Sequence, residues 1–461
     1  MSEPANPRWL HPTRWLGLAR GLGHLARRGF LSRRRITHPA SDEVRAVLSR
    51  HAAIITSRLG EQSGEHFTRL MLDTWQTTMT RRADGSVFVV TGDIPAMWLR
   101  DSAAQMRPFV PLAAESDEIT KTLTGVVVEQ WRSIERDPYA NAFNPGPTHA
   151  SWYAGDLCTN PWVWEQKYEI DSLAFPIQFA WQLWQVTGDA DVLEPVRDRA
   201  RIVVDLWHRE QDHQARSSYR FVRPGTGDTL GPDGRGTPVA VTGMTWSGFR
   251  PSDDACRYGY NIPAQFFAVH ALELLVTMAE HWDDPDLATD CRRLAAEISD
   301  GIQQHALTEN GTLAYEVDGL GHQLLMDDAN MPSLLSLPLC SSLAPDDPLC
   351  RRTRDWVLSP ENPQFFGGRH ATGIGSPHTA PGRIWPIALA VRALTSTDLE
   401  EKRALVETLL ATTGGTGMMH EAFDPDDPTR FSRGWFSWAN AMFCELLLDL
   451  TGIRVPRPDP R

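Results

Sequence analysis

The sequence is poor in lysine: of its 45 basic residues only Lys121, Lys167 and Lys402 are lysine, and the rest are arginine. Acidic residues outnumber basic ones, and the formal net charge is -13. A protein that binds nucleic acid needs a positive face to neutralise phosphates. The charge therefore argues against a nucleic-acid partner.

Cysteine is also scarce, and none of the six cysteines is in a Cys-x-x-Cys motif. That spacing is typical of zinc sites and of redox pairs, so neither is predicted, and no metal or cofactor is expected. We interpret the cysteines as free thiols in the core. Cys340 and Cys350 would pair only in an oxidising compartment.

Two kinds of pattern are missing. No apolar run is long enough to cross a membrane, so no integral membrane segment is expected. No Gly-x-Gly-x-x-Gly turn or P-loop occurs, and buried strands do not alternate with helices. These absences argue against a doubly wound, nucleotide-binding fold.

The first 36 residues differ from the rest, with eight arginines and one acid. Their apolar residues have helical spacing at Trp15, Leu18, Leu22 and Leu25. The arginine triplet at 33–35 resembles the start of an export signal, but mostly polar residues follow it. We expect a cytoplasmic protein. Residues 1–40 would form a basic extension that binds anionic lipid, docks on the body or stays disordered.

Beyond this extension, helical periodicity dominates and predicts an all-α protein. The predicted helices are 41–59, 65–79, 98–115, 117–136, 170–187, 191–209, 259–282, 287–305, 331–339, 347–358, 378–394, 399–412 and 435–450. Short strands are expected at 86–91, 219–222 and 312–325. Helices without a large sheet must pack on one another.

Several long loops, rich in Trp, Gly, Pro, Asp and Arg, separate the predicted helices, and such loops are usually functional. Recurring helix pairs with long loops fit one helical toroid with short hairpins at its mouth. We expect a catalytic domain over residues 41–452 and a C-terminal tail over 453–461. A monomer or weak oligomer is expected.

Tryptophan is abundant, with 17 residues, and many lie in the predicted loops. In the run Trp98-Leu99-Arg100-Asp101-Ser102, the indole offers a flat apolar face and the charged pair suits vicinal hydroxyls. Sugars present both features. The alternative is a helix cap and a surface ion pair. Trp246 and Trp435 are further candidates for stacking on a sugar.

Two candidates for acid–base chemistry stand out. Asp253 and Asp254 are adjacent, and two neighbouring acids in a closed site cannot both ionise easily, so one is suited to general-acid catalysis. The alternative is a helix cap or a metal pair. Glu421 follows a run of small residues that lets backbone approach a ligand, and it is the candidate base. A surface acid on a glycine loop is the alternative there.

Two further segments are weaker. Asp327-Asp328-Ala329-Asn330 has the adjacent aspartates of a diphosphate-binding helix, but Met331 and Pro332 replace the second aspartate that such a site needs. His378 follows a polar glycine loop and is a candidate for a bond to a sugar hydroxyl.

Together these segments resemble glycoside hydrolase family 125, the bacterial and fungal exo-α-1,6-mannosidases. The carrying runs are 91–102, Tyr168-Glu169-Ile170-Asp171-Ser172, 247–260, 325–332 and His420-Glu421 through Arg433-Gly434-Trp435-Phe436-Ser437-Trp438-Ala439-Asn440. The resemblance spans about residues 41 to 452.

The resemblance implies an (α/α)6 barrel, inversion at the anomeric carbon, no required metal, and a mannose-containing oligosaccharide or glycan as substrate. It implies that an acid at Asp253 or Asp254 protonates the leaving oxygen while Glu421 activates water. A similar stretch in helical-toroid trehalases favours Asp253. The implied sugar-binding residues are Trp98, Arg100, Asp101, Asp171, Trp246, Asp328, Asn330, His378, His420, Arg433 and Trp435.

Two other functions stay open at this stage. One is a different toroid glycosidase such as an α-glucosidase, since the Trp98 to Ser102 run also resembles glucoamylase-type sugar sites. The other is a sugar-binding protein without activity. The sequence leaves the physiological glycan open.

Overall fold

Helices dominate the computed structural model, which describes residues 35–223, 226, 228–231 and 233–457. In chain order they are α1 (Asp42–Leu59), α2 (Glu61–Thr77), α3 (Leu99–Met106), α4 (Asp117–Arg136), α5 (Asp171–Thr187), α6 (Glu194–Arg197), α7 (Ala200–Glu210), α8 (His213–Arg216), α9 (Ile262–His281), α10 (Pro285–His305), α11 (Leu337–Cys340), α12 (Pro348–Val357), α13 (Pro386–Leu394), α14 (Leu399–Ala411) and α15 (Ser437–Leu450). Two 3-10 helices span Arg107–Glu115 and Ala190–Leu193.

Local chemistry explains where the helices begin and end. The Ser41 hydroxyl accepts a hydrogen bond from the backbone of Val44 at the start of α1, and the Asp284 carboxylate accepts one from Leu287 at the start of α10. Such caps satisfy amides that have no partner within the helix. Gly188 ends α5 in the left-handed conformation at φ 66°, which glycine adopts without strain.

Proline shortens several predicted helices. The segment expected over 98–115 changes from α-helix to 3-10 helix at Arg107, and Pro108 and Pro111 lie in that second part. A proline lacks the amide hydrogen that an α-helix needs and its ring clashes with the preceding turn. The helices expected over 331–339 and 378–394 begin only at Leu337 and Pro386.

Consecutive helices pack in pairs, and the pairs follow one another around the molecule. The pairs α1 and α2, α9 and α10, and α13 and α14 each pack side by side, and α5 contacts α3, α4 and α9. The last helix, α15, packs on α2 and α3, so helices from early and late parts of the described chain are in contact. Buried polar contacts join them, from Thr74 to Ser437 at 2.7 Å and from Arg107 to Glu445 at 2.8 Å.

One helix among the described residues, α9, is long and apolar enough to span a membrane by length and composition alone. Most of it is buried inside the protein, against α5 and α10. A core helix of a large domain has this composition too.

Strands are short and form small antiparallel sheets. They are β1 (Met79–Arg81), β2 (Val87–Val89), β3 (Met97–Trp98), β4 (Ala142–Phe143), β5 (Val163–Glu165), β6 (Tyr260–Asn261), β7 (Glu316–Val317), β8 (Gln323–Leu324), β9 (Phe365–Gly367), β10 (Thr372–Ile374), β11 (Ala422–Asp424) and β12 (Asp427–Ser432). They pair as β1-β2, β3-β4-β5, β6-β7-β8, β9-β10 and β11-β12. The strand expected over 219–222 is wrong, because that segment has no regular structure.

The predicted basic extension lies outside the described residues up to position 34. Its last residues contact the body: the backbone of Thr37 donates to Gln76 at 2.8 Å, and His38 packs on Trp75. At the other end, Val455 is buried and Gln182 donates to the carbonyl of Pro456 at 3.2 Å.

Candidate active site

The loop between Ser247 and Tyr260 makes a tight turn around Asp253. The backbone of Asp253 donates to Arg250 at 2.9 Å, and Arg250 donates to Asp254 at 2.8 Å. Asp253 adopts φ 65°, a left-handed conformation that costs of order 1 to 3 kcal/mol in residues other than glycine. The ammonium of Lys167 donates to the Asp253 carbonyl at 2.7 Å, so a buried cation holds the turn.

The Asp253 carboxylate accepts from Arg100 Nη2 at 2.9 Å and from Asn141 Nδ2 at 3.3 Å. Arg100 is almost completely buried, and its Nη1 donates to Glu169 at 2.7 Å and to Asp171 at 3.0 Å. Four acids from distant parts of the chain therefore surround one guanidinium, since Asp101 also lies 3.6 Å from it.

This arrangement gives Arg100 a role that the sequence did not predict. Both terminal nitrogens donate to protein carboxylates, so Arg100 orients Asp253, and its contact with sugar hydroxyls stays a prediction. Its neighbour Asp101 is buried, and burial, opposed by Arg100 and reinforced by Asp253, raises the pKa of Asp101 to about 6. Asp171 keeps one buried carboxylate oxygen, Oδ1, without a hydrogen-bond partner in the described part of the chain.

The pKa values of Asp253 and of its neighbour Glu169 shift in opposite directions. Burial opposes ionisation of Asp253, but Arg100, Lys167 and a hydrogen bond with Glu169 outweigh it and lower the Asp253 pKa. Burial raises the pKa of Glu169 well above its usual value, and the charges of Asp253 and Asp171 add to this. Ionisation is therefore favoured at Asp253 and disfavoured at Glu169.

Glu421 lies at the start of the β11-β12 hairpin, on the other side of the site. Its carboxylate accepts from the Ser432 hydroxyl at 2.8 Å and lies 3.6 Å from Arg433 Nη1. The preceding loop needs its glycines: Gly414 has φ 60°, and a side chain there would meet the carbonyl of Pro428 at 2.7 Å. The small-residue run thus lets the loop fold back against the hairpin.

Arg433 connects the β11-β12 hairpin to the segment just before β3. It donates to Asp93 at 2.6 Å and to Thr91 at 2.9 Å, and its guanidinium lies over the ring of Phe436. The backbones are joined too, since Ser437 donates to Thr91 at 2.9 Å. This contact closes one side of the site.

His378 lies between the acid and base sides. Its Nδ1 is 3.6 Å from Asp254. Burial lowers the pKa of His378, but Asp254, Glu421 and Asp253 outweigh it and raise the pKa to about 9. A cationic imidazole at neutral pH therefore contacts Asp254 and interacts through charge with Glu421 and Asp253.

Asp328 and Asn330 lie on a second polar wall. Asp328 is buried and accepts hydrogen bonds from Asn330 at 2.9 Å and from Ser376 at 3.0 Å. Ser376 is two residues before His378. Burial raises the pKa of Asp328, and the charge of Asp254 adds to this. Asp328 is thus close enough to the acid loop to interact with it.

Two expected sugar-binding residues have other roles. Trp246 is 1% exposed, and the ring of His213 stacks on it at 3.5 Å between centroids, so it offers no face to a sugar. His420 is likewise 1% exposed, stacks on Phe431 and uses both ring nitrogens within the loop, towards Thr416 and backbone carbonyls. Both residues position catalytic loops, and the loop location of the tryptophan was a misleading signal.

Trp98 and Trp435 lie in the two segments that Arg433 joins. Each is nearly buried, and each indole nitrogen lacks a hydrogen-bond partner in the described structure. Core tryptophans such as Trp131 share this feature, so sugar binding by Trp98 and Trp435 stays a prediction from their place in the sequence.

Sequence analysis assigned no role to Glu169, Asn141, Lys167 or Asp93. The signal for Glu169 was present, because it lies directly before the apolar helix α5. A buried carboxylate must be paired or neutral. Its partner Arg100 is 69 residues away, however, and only the fold shows that contact.

Other features do not belong to the site. A cavity of about 870 Å³ is lined by residues such as Arg58, Pro338 and Lys402 and by none of the predicted acid–base residues. No group of three or more His, Cys, Asp or Glu side chains with metal-binding geometry occurs within the described ranges. All six cysteines are free thiols.

Comparison with known proteins identifies the family of this chain. The family model of the metal-independent α-mannosidases, GH125, matches residues 61–448. A curated relative, the meiotically up-regulated gene 157 protein of Schizosaccharomyces pombe, is 38% identical over 416 residues, which are 83% of this chain and 81% of the relative.

Among solved structures, a metal-independent α-mannosidase of Streptococcus pneumoniae, in a non-productive complex with α-1,6-mannobiose, is 44% identical with a TM-score of 0.87. The alignment covers 90% of this chain and 99% of that one. A bacterial glucoamylase complexed with acarbose, at 12% identity and a TM-score of 0.53, covers 87% of this chain and 57% of its own. The glucoamylase of Saccharomycopsis fibuligera, at 12% identity and 0.51, covers 80% and 89%.

The glucoamylase likeness shows a shared helical fold. The α-mannosidase likeness extends over nearly the whole chain at high identity. The chain therefore belongs to the metal-independent α-mannosidases of glycoside hydrolase family 125.

Proposed function

We propose that this protein is an inverting exo-α-1,6-mannosidase, with Asp253 as general acid and Glu421 as general base. The observation that carries the proposal is the placement of both carboxylates around His378, on loops 168 residues apart in sequence. The similar Streptococcus protein, which binds α-1,6-mannobiose, supports the choice of substrate.

The proposed reaction is one displacement. Asp253 gives a proton to the glycosidic oxygen while Glu421 takes one from a water molecule that attacks the anomeric carbon from the opposite face. Inverting enzymes leave roughly 6.5 to 9.5 Å between the two carboxyl groups to hold that water. The ion pair between Arg433 and Asp93 supports exo action, because it joins the hairpin that follows Glu421 to the segment before Trp98 and so favours a pocket over an open cleft.

Asp253 is a better candidate than Asp254 for the acid. Asp254 lies against the His378 cation and accepts from Ser252 at 3.3 Å. Asp253 instead has a carboxyl neighbour, Glu169, whose pKa burial raises well above its usual value. The neighbour of Asp253 is therefore a carboxyl group that favours its neutral form, whereas the neighbour of Asp254 is an imidazolium.

We further propose that residues 41–452 form an (α/α)6 catalytic domain, supported by the helix pairs and by the contact of α15 with α2 and α3. A cytoplasmic location and a monomeric or weakly oligomeric state are also proposed. The six free cysteines support the location, since oxidising compartments favour disulfides. Cell fractionation and light scattering test these two points.

Hydrolysis of α-1,6-mannobiose followed by proton NMR tests the main proposal. The first product is expected to be β-mannose, and longer α-1,6-linked oligomers should release mannose alone. Initial α-mannose would contradict inversion, and release of larger fragments would contradict exo action.

Two controls address the other candidate functions. An aryl α-glucoside should react far more slowly than the matching aryl α-mannoside, and the reverse order would favour an α-glucosidase. Binding of mannobiose without turnover would favour an inactive sugar-binding protein.

A further inference from the structure

The proposed general acid has a difficulty that its neighbours explain. A general acid must carry a proton when the substrate is bound. Arg100 and Lys167 both stabilise the ionised form of Asp253, one at its carboxylate and one at its carbonyl. The proton therefore has to be held by a group next to Asp253.

Glu169 is in the right position to hold it. Arg100 bridges the two acids, with Nη1 on Glu169 at 2.7 Å and Nη2 on Asp253 at 2.9 Å. Asn141 bridges them again, with its amide nitrogen 3.4 Å from Glu169 and 3.3 Å from Asp253. These shared donors hold the two carboxyl groups next to each other. Two neighbouring buried acids do not ionise together easily, which favours a pair that retains one proton.

Burial separates the two members of the pair. The Glu169 side chain is completely shielded, whereas that of Asp253 is 19% exposed. A neutral acid is favoured at the shielded position and an ion at the exposed one. The exposed member is also the one that can reach a substrate.

Other charged and titratable groups face this pair. Besides Arg100 and Lys167, the groups whose charge acts on Asp253 are Asp101, Glu165, Asp171 and His378. Those near Glu169 are Arg100, Asp171, Tyr219 and Cys256. The acids among them oppose ionisation of both members, so they help the pair to retain its single proton.

We propose that Glu169 is the proton partner of Asp253: the two carboxyl groups share one proton, and Glu169 returns it to Asp253 as the glycosidic bond breaks. This inference rests on the proposed function. The Glu169–proton bond breaks as this proton moves to Asp253, and the Asp253–proton bond then breaks as a bond to the leaving oxygen forms, so Asp253 is ionised again at the end. Glu169 ends ionised and Glu421 ends protonated, and exchange with solvent restores both.

Glu169→Gln removes the carboxyl group that carries the proton and keeps the size of the side chain. On α-1,6-mannobiose, kcat should fall by about 10²-fold, within the range of general acid catalysis, and the basic limb of kcat/KM should move to lower pH. On a dinitrophenyl α-mannoside, whose leaving group needs no proton, kcat should stay near the wild-type value.

Glu445→Gln is the matched control. Glu445 is also a buried glutamate bonded to an arginine, Arg107, and it lies outside the site. Glu445→Gln should lower the stability of the protein, change kcat equally for the two substrates, and leave the basic limb of kcat/KM at the same pH. If Glu169→Gln behaves like this control, Glu169 is only structural and the proposal is wrong. If the wild-type protein does not hydrolyse mannobiose, the proposed function itself fails.

A second measurement covers a Glu169→Gln variant that does not fold. Carbon NMR of wild-type protein labelled at glutamate carboxyl groups should show a glutamate that stays protonated at neutral pH, and Asp253→Asn should shift its signal. A spectrum in which every glutamate is ionised would overturn the proposal. Glu169→Asp, which retains a carboxyl group, should recover part of the basic limb.

Discussion

The acid side and the base side of this site are built differently. Asp253 lies in a strained turn beside Arg100, and the other buried acids around this guanidinium are Asp101, Glu169 and Asp171. Glu421 lies at the start of a two-stranded hairpin, accepts one hydroxyl, from Ser432, and has Arg433 at 3.6 Å and the charge of His378 as its cations.

The difference follows from what each carboxyl group must do. An acid has to retain a proton in a polar site, and this requires neighbouring acids, burial and a compensating cation. A base has to be ionised and to face water, which needs few partners. Charge density around a carboxyl group is therefore a guide to its role.

Removing the base should have the largest effect. Glu421→Gln is expected to lower kcat by about 10⁴-fold on both mannobiose and a dinitrophenyl α-mannoside, because water attack is required whatever the leaving group. Steady-state kinetics measure this. Ser432→Ala, which removes only a hydrogen bond to Glu421, should cost far less, and equal losses would mean that Glu421 acts through its position alone.

Loss of the general acid should affect the two substrates to different extents. Asp253→Asn is expected to lower kcat on mannobiose by about 10²- to 10⁴-fold and to affect the dinitrophenyl α-mannoside much less. Asp254→Asn is the matched control and should affect both substrates to the same extent. If the selective loss follows Asp254, the two assignments must be exchanged.

His378 links the two sides through charge, so its contribution should depend on pH. Its pKa rises from 6.5 to about 9 on folding, which stabilises the protein by roughly 3 kcal/mol below the lower value. The contribution is lost as the pH rises through 9. His378→Gln should therefore lower stability in mild acid and match the wild type in alkali, as measured by urea unfolding. The exposed pair of His322 and Asp318 supplies a control, and His322→Gln should cost less than about 1 kcal/mol.

The smallest effect should come from the core beneath the acid loop. Trp246→Phe is expected to lower the free energy of unfolding by roughly 1 to 3 kcal/mol and to leave KM for mannobiose unchanged, because Trp246 packs on His213. Trp131→Phe, another fully buried tryptophan, should behave in the same way. A rise in KM for Trp246→Phe and not for Trp131→Phe would show that Trp246 takes part in sugar binding.

Sequence patterns predicted the helices well and the contacts between loops poorly. Helical period and caps located α1 and α4 to within one residue, because those signals are local. The family resemblance supplied Asp253, Asp254 and Glu421. It supplied no role for Lys167, although a lysine in a chain that otherwise uses arginine is a visible anomaly.

Errors arose where a residue type has two common uses. Trp246 and His420 belong to types that bind sugars, but both pack beneath loops. Arg100 and Asp253 are 153 residues apart, so their ion pair depends on the complete fold. Periodicity reports the face of one helix, whereas a site formed by several loops depends on how all the helices are arranged.

The contact of α15 with α2 and α3 has a consequence for synthesis of the protein. Arg433 bonds Asp93 across 340 residues, and Glu445 bonds Arg107 across 338. Contacts between such distant residues form late, since both partners must be present. The active site therefore cannot be assembled on the ribosome until nearly the whole chain has been translated, and a nascent chain that stops before α15 is expected to lack activity and to expose the apolar faces of the first helices to chaperones.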